Sequence, residues 1–416
     1  MASNRDIITG LDVGSSAVRI VMAERLNDGR LKVIGAAETP SEGVSRGSIT
    51  SIEDAVSSIS ETIEKCERMT GLRIERMVVG MSGTHIKMVN SKGVVAVAKA
   101  NEQVEYSDID RALEVAENTT TVPNYEIINV LPISYNLDDQ KNIKEPQGMS
   151  GVRLEVETQI VMSLSSQVKN LTKCIYRTGV DIDDIVFSIL ATSEAVLSAK
   201  QKELGVAVVD IGSATTSVAI FEEGNILHTA ILPIGAGHIT NDLAIGLKTS
   251  VDVAEAVKID HAQALSESVS KRDEIDLNKY SEDEKKGSYV FKKDIAEISE
   301  ARMEEIFSMV NDELKKVGRD GKLPSGVVLT GGGAKLPMVI DLAKQVFNLP
   351  VFMGLPVESN FPIDKLNDPE YTTALGLVIW GDKNIEEGGG FFGNITAVRH
   401  STDKMRSWFR SLWPSS

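Results

Sequence analysis

Two stretches of the chain carry the same succession of apolar runs and turns. Ile7 to Leu11 is apolar apart from Thr9, ends in Asp12-Val13-Gly14-Ser15-Ser16, and gives way at once to a second β-rich run, Ala17 to Val21. The design returns 198 positions later, as Gly205 to Val209, then Asp210-Ile211-Gly212-Ser213, then Thr216 to Ile220. Short apolar runs bounded by turn residues read as buried strands. Asn27-Asp28-Gly29 and Glu223-Gly224-Asn225 read as hairpin turns into a third strand of each unit. The pattern predicts two β-meanders of one design, and hence an α/β protein of two related lobes.

Helical spacing follows each meander. Ile52, Val56, Ile59, Ile63 and Cys66 recur every three or four residues, and residues 167–178 and 239–258 show similar periodicity. Residues 84–162 break into the first unit with a pattern of their own. It comprises a short strand pair, a helix capped by Ser107 with Ile109, Leu113 and Ala116 on one face, and a strand from Tyr125 to Leu137. This is an inserted α+β subdomain. The polar stretch 265–293 reads as a solvated helix pair or loop, and Gly381–Asn394, with Gly388-Gly389-Gly390, as a flexible linker. Beyond it, Met405, Trp408, Phe409, Leu412 and Trp413 fall on one face of a helix over 401–414, with Lys404, Arg406 and Arg410 on the remainder.

Charge sharpens the picture of that tail. The 416-residue chain carries a net −16, but from Arg399 onward four basic residues face one acid, so the tail is +3 and the body −19. An acidic body argues against nucleic-acid binding. A basic helix holding two of the three tryptophans fits an anionic lipid surface instead. So short a helix binds weakly alone, and stable attachment needs several copies, as in a polymer. No run of about 18 apolar residues occurs, the N-terminus reads as a strand rather than a signal peptide, and Cys66 and Cys174 read as free thiols. The expected place is the cytoplasmic face of a membrane.

The Asp-x-Gly-Ser segments carry the candidate chemistry. A glycine at the tip of a tight hairpin lets backbone N–H groups approach a phosphate, and the serine hydroxyls add donors. A carboxylate cannot sit on a phosphate unaided, so Asp12 would act through a hydrated Mg²⁺. One such motif is commonly an ordinary turn. Two copies, facing each other across a cleft, could clamp a polyphosphate from both sides. Val327 to Thr330 followed by Gly331-Gly332-Gly333-Ala334-Lys335-Leu336-Pro337 reads as strand, triple-glycine turn and helix, where a flat ring or sugar could touch backbone. Glu255 and Lys258 share one helix face, and are either a surface ion pair or ligands for ribose hydroxyls and an adenine edge.

The two hairpins and the Thr-Gly-Gly-Gly-Ala turn, in this order, resemble the actin-like ATPase superfamily, which includes actin, sugar kinases and heat-shock chaperone ATPases. Within it the chain is most similar to the FtsA family of bacterial cell-division proteins. Ile127-Ile128-Asn129-Val130-Leu131-Pro132 with Tyr135, then Pro146-Gln147-Gly148-Met149-Ser150-Gly151-Val152-Arg153-Leu154-Glu155, resemble that family's subdomain 1C, and Ala374-Leu375-Gly376 fits its late helix. The resemblance covers residues 6–380 and the tail. It implies the actin-like fold, with two lobes around a nucleotide cleft. Its boundaries would be 1–83 and 163–204 for the first lobe core (1A), 84–162 for 1C, 205–234 and 322–383 for the second lobe core (2A), 235–321 for 2B, a linker at 384–400 and a membrane-targeting amphipathic helix at 401–414. It implies ATP and Mg²⁺ as cofactors. Gly14, Ser15 and Ser16 would contact phosphate from one lobe and Gly212, Ser213 and Thr215 from the other. Asp12 and Asp210 would orient Mg²⁺ through water, Glu255 and Lys258 would touch adenosine, and Gly331, Gly332 and Gly333 would lie beneath it.

The resemblance also implies self-association into filaments and tethering of FtsZ filaments to the cytoplasmic membrane at the division septum. The FtsZ C-terminal tail would dock around 235–320 and other divisome proteins on 1C. Lys404, Met405, Arg406, Trp408, Phe409, Arg410, Leu412 and Trp413 would meet the lipid.

Four positions depart from the family pattern. Ser213 and Ala214 replace glycines, and would crowd the phosphate if their φ must be positive. Ser217 stands where an acid is common. Ser188 occupies the place of the usual water-orienting Glu or Gln, so hydrolysis should be slow or negligible. Two alternatives share the fold. A PilM-like pilus-assembly adaptor would lack the linker and terminal helix. A phosphotransferase such as a sugar kinase would need a base aspartate and a sugar pocket that the sequence does not offer, and Ser188 and Ser217 weaken the case for an ATPase motor.

Overall fold

Leu11, Val18, Ile20 and Met22 lose all contact with solvent because each strand of the first meander has a sheet neighbour and helices cover its faces. The computed structural model describes residues 7–98, 103–281, 289–356 and 364–386. β1 (Ile7–Val13), β2 (Ala17–Arg25) and β3 (Leu31–Pro40) run antiparallel, a two-residue pair β4 (Val44–Ser45) and β5 (Ser48–Ile49) follows, and α1 (Ile52–Thr70) leads to β6 (Arg76–Met81), parallel to β1. Ser51 caps α1 by accepting from the Asp54 amide at 3.4 Å, and Gly71 ends it at φ +70°, a left-handed position that suits glycine.

The insert then leaves the lobe. It comprises β7 (Ile86–Ala96), α2 (Tyr106–Thr119), β8 (Tyr125–Leu137), β9 (Gln140–Ile143) and β10 (Arg153–Leu164), in the sheet order β7-β10-β8-β9. Ile109, Leu113, Val130, Leu137, Leu154 and Ile160 make a core of its own. Two expectations change here. The strand pair is instead one eleven-residue strand, β7, matched along its length by β10. The cap of α2 is Glu105, not Ser107. The buried Asp108 accepts from the Glu105 amide at 2.9 Å and the Ala98 amide at 3.2 Å, and so fixes where the helix starts.

The chain returns through α3 (Ser165–Arg177), β11 (Asp181–Phe187), α4 (Ser188–Val196) and α5 (Ala199–Leu204) to the second meander, β12 (Val206–Ile211), β13 (Thr216–Glu222) and β14 (Asn225–Leu232). Next come α6 (Gly237–Leu247), α7 (Val251–His261), β15 (Glu274–Asp276), β16 (Tyr289–Phe291), α8 (Lys292–Lys316), β17 (Val327–Thr330), α9 (Val339–Phe347), β18 (Val351–Met353) and α10 (Thr372–Glu386). The lobes repeat at the level of topology. One sheet runs β3-β2-β1-β6-β11 and the other β14-β13-β12-β17-β18, each an antiparallel meander extended by two parallel strands. The insert also touches the second lobe, where the buried Gln159 Oε1 accepts from both the amide and the hydroxyl of Thr229, at 3.1 and 2.6 Å.

Four further expectations are corrected. Residues 239–258 are not one helix, because Lys248 turns left-handed at φ +56° and Ser250 caps a new one. The 265–293 stretch is not a helix pair. It holds two short 3-10 turns and the β15–β16 ribbon, anchored by the buried Ile275 and Leu277. Residues 322–383 do not all belong to the second lobe. α10 packs on α4, β1, β2 and β6 of the first, with Ala374, Leu375 and Val378 buried against Ile8 and Val21. Nor does the linker begin at Gly381 or 384, since α10 runs on to Glu386. Gly381 is helical and lets Ile8 and Val78 approach the helix closely. The rest of the linker and the 401–414 helix lie outside the described residues. No helix among the described residues is long and apolar enough to cross a membrane.

Candidate functional site

Strand register brings the two Asp-x-Gly-Ser segments to equivalent places. Asp12 pairs with Arg19 on β2 and lies beside Gly80 on β6, while Asp210 pairs with Ser217 on β13 and lies beside Thr330 on β17. Both stand at the carboxyl ends of parallel-paired strands, where α/β sheets bind ligands. The Gly14 amide donates to the Ala17 carbonyl at 3.1 Å and the Gly212 amide to that of Thr215 at 3.0 Å. The glycines therefore close the hairpins, and their own N–H groups are taken. The amides of Ser15, Ser16, Ser213, Ala214 and Thr215 have no acceptor among the described residues, which leaves them for a ligand. Neither Ser213 nor Ala214 has a positive φ, so the expected crowding does not arise. The Ser15 hydroxyl accepts from the Gly47 amide, between β4 and β5, at 3.0 Å.

Both hairpins, the triple glycine and α7 surround one cavity of about 460 Å³. Every cleft residue named from the sequence lines it: Asp12, Gly14, Ser15, Ser16, Asp210, Gly212, Ser213, Thr215, Glu255, Lys258, Gly331, Gly332 and Gly333, with Ser188. Gly331 has φ +81°, and a Cβ there would overlap Asp210 Oδ1. Glu255 and Lys258 are paired at 2.6 Å, and both bond the Thr240 hydroxyl, so this ion pair faces the cleft. Ser188 opens α4 almost fully buried, with no hydrogen-bond partner for its Oγ among the described residues.

Sequence reasoning missed several neighbours. Arg19 lines the cavity, bonds Glu370 and, at 3.2 Å, Glu38, and lies 5.8 Å over the Tyr371 ring. An arginine paired across the hairpin from Asp12 was the available signal. Lys335 holds Asp368 at 2.6 Å and Glu370 at 3.5 Å. Ser82 of the first lobe meets Ser217 of the second at 3.2 Å across the cleft.

The cleft carboxylates set its electrostatics. Burial pushes Asp12 up to about 6, against the pull of Arg19, and burial with the charge of Asp12 pushes Asp210 up to about 7. Both start from 3.8, so the folded chain keeps protons that the unfolded chain releases. The contribution of these two groups to the stability of the ligand-free chain then falls as pH rises from about 4 to about 7. Asp210→Asn is expected to melt a few degrees above wild type at pH 7.5, from on the order of 2 kcal/mol after allowance for water in the cleft, with the gap closing near pH 4. Thermal melts across this range check it, and a variant less stable at pH 7.5 would count against it. Two such carboxylates facing one cleft form a hard oxygen donor set that a divalent cation would neutralise.

Comparison with known proteins agrees with this architecture. A family model described as "Cell division protein FtsA" matches residues 207–376, and one described as "SHS2 domain inserted in FTSA" matches 83–162. The cell division protein FtsA of Pseudomonas aeruginosa is 35% identical over 96% of this chain and 95% of its own length. That of Bacillus subtilis is 34% identical over 92% and 85%, and that of Borreliella burgdorferi 34% over 99% and 100%. Among solved structures, a PilM-PilN type IV pilus biogenesis complex aligns over 90% of this chain and 98% of its own, with a TM-score of 0.65 at 17% identity. MreB5 of Spiroplasma citri bound to ADP aligns over 93% and 100%, with a TM-score of 0.54 at 13% identity. Likeness at such identity bears on the fold alone. The chain belongs to the FtsA family of cell division proteins, and has the actin-like ATPase fold with an SHS2 domain inserted in its first lobe.

Proposed function

We propose that the chain binds ATP with Mg²⁺ between its lobes, assembles into filaments, and anchors FtsZ filaments to the cytoplasmic membrane at the division site. The observation that carries the nucleotide part is the convergence of two register-equivalent Asp-x-Gly-Ser hairpins on one cavity floored by a glycine turn. ATP–Mg²⁺, when bound, supplies a polyphosphate that both lobes can hold at once. The free amides of Ser15 and Ser16, and of Ser213, Ala214 and Thr215, would donate to it from opposite sides. Asp12 and Asp210 would hold the water shell of Mg²⁺, while Glu255 and Lys258 would take the nucleoside end above Gly331, Gly332 and Gly333.

Ser188 offers only a short hydroxyl where hydrolysis calls for a group that orients water, so turnover would be slow and ATP would act as a structural bridge. The amphipathic pattern of 401–414 and its +3 charge support the membrane part, and multiplication of a weak anchor along a filament supports self-association. Subdomain 2B would receive the FtsZ tail, and the insert other division proteins. Electron microscopy on lipid monolayers tests the whole. Ordered filaments are expected only with both ATP and anionic lipid, and filaments indifferent to nucleotide would sink the reading. Robust, substrate-stimulated ATP turnover would point to a phosphotransferase or motor instead.

A further inference from the structure

The placement of two buried threonines is not accounted for by either hairpin. Thr373, in the first turn of α10, has its hydroxyl 3.4 Å from Asp210 Oδ2 and 2.9 Å from the Thr192 hydroxyl of α4. Thr192 in turn lies 3.0 Å from the carbonyl of Ser188, one turn earlier in α4. Next to them Thr372 meets Thr330 of β17 at 2.9 Å, so the start of α10 is tied to the second lobe while its body packs on the first.

An ionised carboxylate only accepts, so Thr373 must donate to Asp210, and its oxygen can then accept only from Thr192, whose single proton in that arrangement turns from the Ser188 carbonyl to Thr373. Gly331 closes on the other carboxylate oxygen, Oδ1. Asp210 is thereby bonded on one edge by Thr373 and packed against the Gly331 backbone on the other. Asp12, at the equivalent register, has no hydrogen-bond partner among the described residues. The repeat is symmetric in its strands and asymmetric in how its two carboxylates are held.

We propose that Thr373 is a positioning residue. Its hydroxyl fixes the rotamer of Asp210 so that the carboxylate meets the water shell of nucleotide-bound Mg²⁺, and Thr192 orients Thr373 from behind. The inference rests on the nucleotide reading above and adds to it a residue from α10, which no phosphate or adenosine motif contains. Because the body of α10 packs on the first lobe and Asp210 belongs to the second, the bond joins the two lobes at the cleft.

The test is titration of the full-length chain with a fluorescent N-methylanthraniloyl ATP, in Mg²⁺ and in EDTA, for wild type, Thr373→Val, Thr373→Ser and Thr192→Val. Valine keeps the shape and removes the donor. Wild type should bind more tightly in Mg²⁺ than in EDTA. Thr373→Val should lose about tenfold of that Mg²⁺-dependent gain, the usual size of an outer-shell effect, with its EDTA affinity unchanged. Thr373→Ser should restore the gain, and Thr192→Val should lose a smaller part of it. A purely structural threonine would lower the melting temperature and both affinities alike. Equal losses in Mg²⁺ and EDTA, or a Thr373→Val chain with its Mg²⁺ gain intact, overturn the proposal. Should Thr373→Val fail to fold, an unchanged gain in Thr192→Val overturns it equally. A wild-type chain that binds the nucleotide without any Mg²⁺ gain overturns this inference alone, whereas one that binds no nucleotide overturns the reading beneath it as well.

Discussion

Gly331→Ala is expected to lower ATP affinity at least a hundredfold while the chain stays folded. Two costs combine at this position. With φ +81° and ψ 172°, Gly331 occupies a region that is essentially glycine's alone, and a side chain there stores about 1–3 kcal/mol of strain. The new methyl group would also overlap Asp210 Oδ1 and come within 2.7 Å of the Ile211 carbonyl, which belongs to a paired strand and cannot swing aside. The triple-glycine turn and the second hairpin must therefore separate, and these are two of the walls that would grip the nucleotide. Gly179→Ala is a partial control, an alanine at the same φ of +81° with nothing within 4 Å of the added carbon, so it is free of the collision. Nucleotide titration and denaturant unfolding of both variants separate the two terms. If Gly331→Ala binds within about threefold of wild type, under 1 kcal/mol, the glycine turn is not part of the site.

The second large effect concerns the tail. Trp408→Glu with Trp413→Glu should abolish flotation with anionic vesicles and leave ATP affinity unchanged. Each buried aromatic contributes about 1.5–3 kcal/mol, and each basic residue near an anionic leaflet about 1 kcal/mol. Removing both tryptophans takes about 3–6 kcal/mol from a helix too short to bind tightly alone. Two new carboxylates then add repulsion to that of the −19 body. Vesicle flotation at low and high salt, with and without ATP, reads this directly, and a double variant that still floats would refute the anchor.

Features that depend on local order were legible in the sequence. The meanders could be read because a buried strand and a Gly-containing turn are each written within a dozen residues, and because the unit occurs twice. Asp12, Asp210 and Gly331 were legible for the same reason. What escaped depends on distant residues meeting in space. Thr373 and Asp210 are 163 residues apart, Ser82 and Ser217 135, and Arg19 and Glu370 351, so no short window of sequence contains any of these pairs. The 265–293 ribbon escaped for another reason. Its charges speak for solvent, and among the described residues the buried apolar anchors are Ile275 and Leu277. The destination of α10 was hidden because adjacency in sequence to β18 suggested adjacency in space.

That destination has a mechanical consequence. α10 spans fifteen residues, about 22 Å at 1.5 Å per residue. It starts against Asp210 at the cleft and, by Gly381, reaches Ile8 near the opposite end of β1. The last described helix thus lies on the first lobe, where Leu366 and Tyr371 just before it are buried as well. If the tail is moored to a bilayer, the first lobe and its insert become the fixed mount and the second lobe the moving arm. Nucleotide exchange would then swing the arm, with any filament docked on it, against a stationary base, and α10 would be the axle.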